Sequence, residues 1–248
     1  MPTKMKKNKE RLDTILLNKG YVPDISYARA LILAKKVKVD GSFVTQAGSR
    51  FNEDIHIELK PEKKYVSRGG IKLHHALTES KLNIKDKRCL DIGVSTGGFT
   101  DCLLQAGASL VYAVDVGYGQ TADKIRNHEK VELFERTNAR NMEKLNNPVD
   151  LLTIDVSFIS ILKIIPNILN SLNDNADIFA LIKPQFELPK DLVNNGGVVK
   201  SHLLHASAVA RIIVELLNYN LLYKQLFQSP LLGADGNREF FVWMRHEK

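Results

Sequence analysis

The N-terminal apolar positions recur first at helical and then at strand spacing. From Glu10 the chain reads as a helix, with Leu12, Ile15 and Leu16 on one face and Gly20 as its stop. Pro23-Asp24 begins a turn, and Asp24 or Ser26 can cap a second helix with Ala28, Leu31 and Ile32 inward. Val37 and Val39 alternate into a turn at Asp40-Gly41, and Ile55, Ile57 and Leu59 alternate in a last strand. Two short helices and a small sheet predict a compact α+β unit over residues 10–60.

The pattern changes beyond a polar, proline-started stretch at residues 61–66, which reads as a linker. Leu73, Ala76 and Leu77 predict a helix starting near Gly70. Lys72 lies off that face and by itself reads as a solvated lysine. Cys89–Ile92 is a buried strand that stops at Gly93; a helix follows Gly97-Gly98, and Leu110–Val114 is a second strand ending in Asp115. Thr121–Asn127 reads as helix, Val131–Phe134 as strand, and Asn138 lies in the next loop. Leu151–Ile154 ends in Asp155, Ile161–Leu172 reads as one amphipathic helix, and Ile178–Ile182 ends in Lys183-Pro184. Residues 187–199 form a long loop expected to act as a lid. Ser201–Asn218 is a helix, with Ala206, Val209, Ala210, Ile213 and Leu217 as its apolar face. Strands Leu221–Phe227 and Glu239–Met244 close an antiparallel pair. Strands alternating with helices predict an α/β unit over residues 67–248, with a mostly parallel sheet and an antiparallel strand.

Charge separates the two units. The 248-residue chain carries a formal +7, but residues 1–72 hold 16 Lys and Arg against 8 Asp and Glu, leaving the remainder at −1. Residues 1–9 read as a disordered basic tail. A basic module on a near-neutral body points to a polyanion, most often nucleic acid. Arg29, Lys35, Lys36 and Lys38 are the candidate phosphate ligands there. No apolar run suits a bilayer span or a signal peptide, and two lone cysteines suit a reducing cytoplasm. His74, His75, His202 and His205 have no carboxylate spacing that completes a metal site. They read as surface or helix-end residues.

Candidate chemistry gathers at the ends of the predicted strands, where open α/β sheets place ligands. Gly93, Gly97 and Gly98 open a turn of nucleotide-binding type, and Asp115 can accept from a ribose diol. Ser95 occupies the place of the middle glycine of a dinucleotide motif, and Asp91 stands beside the turn. That carboxylate suits a cationic, amine-bearing ligand better than a pyrophosphate, which favours S-adenosyl-L-methionine over NAD. Lys72, Asp155, Lys183 and Glu239 each sit at an element end.

Residues 10–60 resemble the S4 RNA-binding domain, on the second helix running into Lys36-Val37-Lys38-Val39-Asp40-Gly41. Two positions depart from that pattern: Asp24-Ile25 replaces a Ser-Arg pair, and Lys35 replaces a glycine. Residues 66–248 resemble the FtsJ-like, RrmJ-type ribose 2′-O-methyltransferases. The segments that carry the resemblance are Arg68-Gly69-Gly70-x-Lys72-Leu73, Asp91-x-Gly93-x-Ser95-x-Gly97-Gly98-Phe99, Asp155–Ser160, Lys183–Glu187 and Gly236-Asn237-x-Glu239-Phe240. With an S4 domain in front, the whole is similar to the TlyA family. There the linker carries Arg-x-Trp-Val, where this chain has Lys63-Lys64-Tyr65-Val66.

The resemblance implies a Rossmann-like class I methyltransferase fold and a catalytic tetrad of Lys72, Asp155, Lys183 and Glu239. It implies S-adenosylmethionine held by Asp91, Gly93, Ser95, Thr96, Gly97, Gly98, Phe99, Asp115, Val116 and Asn138. Arg68 joins the RNA ligands, and no metal is required. The expected reaction is 2′-O-methylation of a flipped-out cytidine in 23S and, in some members, 16S rRNA, with ribosomal subunits as partners. The competing readings are a non-catalytic ribosome-assembly factor, a membrane-damaging haemolysin and an NAD-linked oxidoreductase.

Overall fold

A computed structural model describes residues 9–60 and 63–247. The basic tail, apart from Lys9, and Pro61-Glu62 of the linker lie outside the described residues. The chain divides into two compact units, residues 1–63 and 64–248.

In the smaller unit, β1 (Glu10–Arg11) precedes α1 (Leu12–Asn18) and α2 (Ile25–Leu33). Strands β2 (Val37–Val39), β3 (Ser42–Phe43), β4 (Arg50–Phe51) and β5 (Ile57–Leu59) follow. The first helix starts at Leu12 rather than Glu10, because Glu10 and Arg11 pair antiparallel with Phe51 and Arg50. Asp24 caps α2 by accepting from the Tyr27 N–H at 2.7 Å. The antiparallel sheet runs β3-β2-β5, and Leu12, Ile15, Leu16, Ala28, Ile32 and Val37 are the centre of the core.

Asp13 is fully buried and takes hydrogen bonds from Arg11 at 2.7 Å and Arg29 at 2.9 Å. The Arg11 hydrogen bond, with that of Arg29, holds its carboxyl well below the usual carboxylate range, against burial. Arg29 is therefore a fold-holding residue, whatever else its half-exposed guanidinium does. Lys35 has φ 54, a left-handed backbone that explains why glycine suits this position.

The larger unit begins with α3 (Arg68–Ser80), then β6 (Arg88–Ile92), α4 (Gly98–Gln105), β7 (Leu110–Val114), α5 (Asp123–Arg126) and β8 (Val131–Phe134). It continues through β9 (Val149–Ile154), α6 (Ile165–Ile168), β10 (Leu172–Ile182), α7 (Pro184–Glu187), α8 (His202–Leu217), β11 (Leu221–Gln228) and β12 (Phe240–His246). Its seven strands run β11-β12-β10-β9-β6-β7-β8, parallel except for β12. Alternation along each strand feeds two cores. Leu90, Ile92, Leu152, Ile178 and Ala180 meet α6 and α8 residues on one face, while Cys89, Leu151, Phe179 and Leu181 meet α3 and α4 residues on the other. Among the described residues, no helix is long and apolar enough to cross a membrane.

The helix expected over Ile161–Leu172 is three pieces: a 3-10 turn at Ile161–Lys163, α6, and another 3-10 turn at Leu169–Ser171. Pro166 has no N–H to donate and its ring excludes a continuous α-helix through this point. Helix α8 buries His205, Ala208, Val209, Ile212 and Leu216, about one position away from the expected face. It is apolar on nearly every side, so periodicity could not choose the inward stripe. His205 is thus not a surface histidine; its Nε2 lies 2.9 Å from the Val199 carbonyl. Residues 187–199 carry a 3-10 turn at Lys190–Leu192, and Asn237 clasps the loop's end through the Val199 N–H and the Gly197 carbonyl, both at 2.9 Å.

Replacing Lys35 by glycine removes a left-handed side-chain penalty of roughly 1 kcal/mol, partly offset by unfolded-chain entropy. K35G is expected to slow amide exchange in α2 and β2, and faster exchange there would contradict the strain.

Candidate active site

The strand order reverses at β6, and the crevice opens at the C-terminal edge of the parallel strands. Gly93 follows β6, Asp155 follows β9 and Lys183 follows β10. Because β12 runs antiparallel, its first residues reach the same edge: Phe240 pairs with Ile182, so Glu239 comes up beside Lys183. Two adjoining cavities of about 450 Å³ each share Gly93, Ser95, Asp155 and Ser157 as a common wall.

The first cavity collects Lys72, Asp155, Lys183 and Glu239. Lys72 is 7% exposed, not the solvated lysine its helical position suggests. Close packing puts it there. A Cβ at Gly70 would sit 2.3 Å from the Tyr65 ring and 2.8 Å from the Gly98 carbonyl, so only glycine lets the first turn of α3 approach α4 this closely. The Lys72 amine donates to Glu239 Oε2 at 2.5 Å. Lys183 pairs with Asp155 Oδ1 at 2.6 Å and donates to Ser157 Oγ at 3.1 Å. The four residues are two ion pairs facing one cavity.

Gly93, Ser95, Thr96, Gly98 and Phe99 line the first cavity, and Asp115, Val116 and Asn138 the second. Gly93 has φ 87, and a Cβ there would meet the Asp155 carbonyl oxygen at 2.3 Å. Asp115 accepts from the Ser95 N–H at 2.7 Å and the Gly117 N–H at 2.6 Å, which fixes its carboxylate at the cavity wall. Val116 is 70% exposed beside it, an apolar surface where a flat ring can lie. Asp91 and Gly97 line neither cavity. Asp91 lies buried beneath the turn, accepting from Thr100 Oγ1 at 2.6 Å and Thr153 Oγ1 at 2.8 Å. Burial pushes its carboxyl up to about 6, against those two hydrogen bonds and with help from the charge of Asp155.

Of the expected RNA ligands, Arg68 is exposed at the first cavity and donates to the Leu232 carbonyl at 2.7 Å. Arg29, Lys35, Lys36 and Lys38 belong to the smaller unit. Lys35 is exposed, Lys36 is half-buried, and Lys38 lies 5.1 Å over the Phe43 ring and 3.9 Å from Glu58. Sequence reasoning did not assign Ser157, Gln185, Phe186 or Asp235, which also line the first cavity. A hydroxyl two residues beyond a strand-tip aspartate was the readable signal for Ser157; the others depend on tertiary packing. Among the described residues, no three His, Cys, Asp or Glu side chains are grouped to hold a metal ion.

The FtsJ-like methyltransferase model matches residues 65–246, and the S4 domain model matches residues 10–54. The chain belongs to the FtsJ-like methyltransferase family. This FtsJ-like chain is 40% identical over 242 residues to the 16S/23S rRNA (cytidine-2′-O)-methyltransferase TlyA of Mycobacterium tuberculosis, covering 95% of this chain and 89% of that one. It is 40% identical over 235 residues to Hemolysin A of Brachyspira hyodysenteriae, covering 94% and 98%. A solved structure from Streptococcus thermophilus superposes with a TM-score of 0.74 at 35% identity, covering 98% of this chain and 90% of that chain. The N-methyltransferase NodS of Bradyrhizobium japonicum shares the fold at 15% identity, with a TM-score of 0.53 and coverage of 73% and 97%.

Asp91 gives this FtsJ-like domain a pH signature. Its carboxyl is raised in the folded state from 3.8 to about 6. Its stabilising contribution is therefore fully present below about 3.8 and lost as pH rises through about 6. D91N lacks that titration. Its stability relative to wild type should rise between pH 4 and 7 by up to about 3 kcal/mol. Urea midpoints that run parallel across this range would rule the signature out.

Proposed function

We propose that this chain is an S-adenosylmethionine-dependent rRNA methyltransferase acting on a cytidine ribose 2′-hydroxyl in 23S rRNA, with 16S rRNA as a second candidate substrate. The observation that carries the reading is the convergence of Lys72, Asp155, Lys183 and Glu239 on one cavity beside the glycine turn. The family, the S4 domain and the TlyA relative support the RNA substrate. Ribosomal subunits would be met in the cytoplasm.

The groove fits the cofactor by charge. Asp115 and Asp155 line its walls, and a pyrophosphate there would face carboxylates, whereas a sulfonium and an amine would not. Asp115 would accept from the ribose diol, Val116 and Asn138 would flank the adenine, and Gly93 and Ser95 would wrap the methionine end. Bound in this way, S-adenosylmethionine supplies a methyl group on a good leaving group, so no metal is needed to activate it.

The protein's own task is to aim one hydroxyl and remove its proton. A 2′-hydroxyl is a weak nucleophile, and Lys183, having first released its own ion-pair proton to solvent, would take the hydroxyl proton as the oxygen bonds to carbon. The electrons of the broken carbon–sulfur bond stay with sulfur. Asp155 and Ser157 fix the Lys183 amine, and Glu239 fixes Lys72. Holding oxygen, carbon and sulfur in line supplies the rest of the acceleration.

The direct test is transfer of labelled methyl from S-adenosylmethionine to ribosomal subunits from a strain lacking this protein, mapped by 2′-O-methyl-sensitive primer extension. Wild type should label a cytidine ribose, and Lys183→Ala should cut the rate by about 10²-fold or more. Absence of transfer with RNA binding intact would instead favour an assembly factor. Asp115→Asn should weaken cofactor binding about tenfold by calorimetry, or about 1.4 kcal/mol. An unchanged affinity would remove Asp115 from the site.

A further inference from the structure

A buried carboxylate stands one turn beyond Lys183. Glu187 closes α7 with a side chain only 1% exposed, and it does not line the groove. Its Oε1 accepts from the Ile161 N–H at 3.0 Å, and its Oε2 accepts from Ser160 Oγ at 2.6 Å. Arg211 of α8 donates to Oε2 at 3.3 Å and also to the Glu187 carbonyl. Burial pushes the Glu187 carboxyl up, while Ser160, Ile161 and Arg211 act against that. An apolar side chain of similar size would fill the space without this desolvation cost, so the bonds Glu187 makes need a reason.

The reason lies in what those bonds join. Residues 155–161 carry Asp155 and Ser157, and residues 183–187 carry Lys183. At the groove the two segments meet through Lys183–Asp155 at 2.6 Å and Lys183–Ser157 at 3.1 Å. At the far end they meet through Glu187, Ser160 and Ile161. Between them the Phe158 and Phe186 rings lie 5.0 Å apart. Phe158 is 89% exposed and has φ 65, a strained turn that packing around its own ring does not explain, so the segment has to be held from its ends. Past the last β9–β10 pair, Ile154 with Ala180, the two segments are held by this far stitch, by the Phe158–Phe186 contact and by Lys183's own contacts with Asp155 and Ser157, the last being the ones that chemistry must use.

We propose that Glu187, held by Arg211, is a positioning residue that sets the placement of Lys183 against Asp155 and Ser157. This rests on the methyl-transfer reading above. Glu187 touches neither substrate nor cofactor; it acts through the two strand-tip segments.

The test uses full-length Glu187→Gln and Ser160→Ala, the second removing one Glu187 bond together with the Ser160 cap on the Leu162 N–H. Three quantities are read: the single-turnover methyl-transfer rate, cofactor affinity by calorimetry, and acylation of Lys183 by acetic anhydride relative to exposed lysines, by mass spectrometry. E187Q should transfer about tenfold more slowly with cofactor affinity within twofold of wild type, and Lys183 should acylate at least threefold faster. S160A should move the rate and the acylation the same way by about threefold. A purely structural role would lower Tm and yield while leaving the rate per folded molecule and the acylation ratio unchanged, and that result overturns the proposal. If wild type transfers no methyl at all, the functional reading falls. The acylation ratio then decides the positioning of Lys183 by itself: a faster ratio sustains it and an unchanged one ends it.

Discussion

Two lysines and two carboxylates leave bulk water together at one edge of the sheet, and each ammonium must find its opposite charge there. An unpaired ion at 3% or 7% exposure would cost several kcal/mol, more than a marginally stable domain can spare. The pairs Lys72–Glu239 and Lys183–Asp155 remove that difficulty, with contacts of 2.5 Å and 2.6 Å. Each pair joins elements distant in sequence: α3 to the start of β12, and the tip of β10 to the tip of β9. The electrostatic requirement therefore acts as a geometric one. The cavity exists only when all four elements reach the same edge.

The backbone meets that requirement by close approach. Gly70 brings the first turn of α3 against Gly98 at the head of α4, with Tyr65 packed behind it. Asp101 secures the same region, accepting from the Val66 N–H at 2.8 Å, the Gln105 amide at 3.0 Å and the Lys124 amine at 2.9 Å. The lysine-bearing helix and the glycine turn are thus one packed piece. A change in the segment before α3 would be felt at Lys72 and at the glycine turn together.

Much of this was legible in the sequence, for identifiable reasons. The apolar runs stopping at Gly93, Asp115, Asp155 and Lys183 marked strand tips, and strand tips converge in any open α/β sheet. Glu239 is different: it reaches the edge only because β12 is antiparallel, a pairing that the polar turn before it suggested. The burial of Lys72 was invisible to helical periodicity, since it follows from the missing Cβ at Gly70. Lys35 looked like a departure from a family pattern, and the structure shows its physical content, a left-handed residue that is not glycine. The inward stripe of α8 was undecidable because that helix is apolar nearly all round. Glu187 was readable only as part of a motif, because its partners Ser160, Ile161 and Arg211 lie 24 to 27 residues away.

Charge placement separates attraction from chemistry. The first cavity is lined by Arg68, Lys72 and Lys183 against Asp155, Asp235 and Glu239, a balanced set. Such a cavity offers little net pull on a phosphate backbone. Residues 1–66, outside that cavity, hold 14 Lys and Arg against 8 Asp and Glu, and phosphate contacts from such a basic excess would set affinity and position without choosing a base. On the methyl-transfer reading, raising salt should then weaken capture of RNA steeply while changing the rate of the bound step much less, because the two ion pairs are largely withdrawn from the ionic atmosphere. A near-neutral groove leaves the attraction of a polyanion to the basic residues outside it.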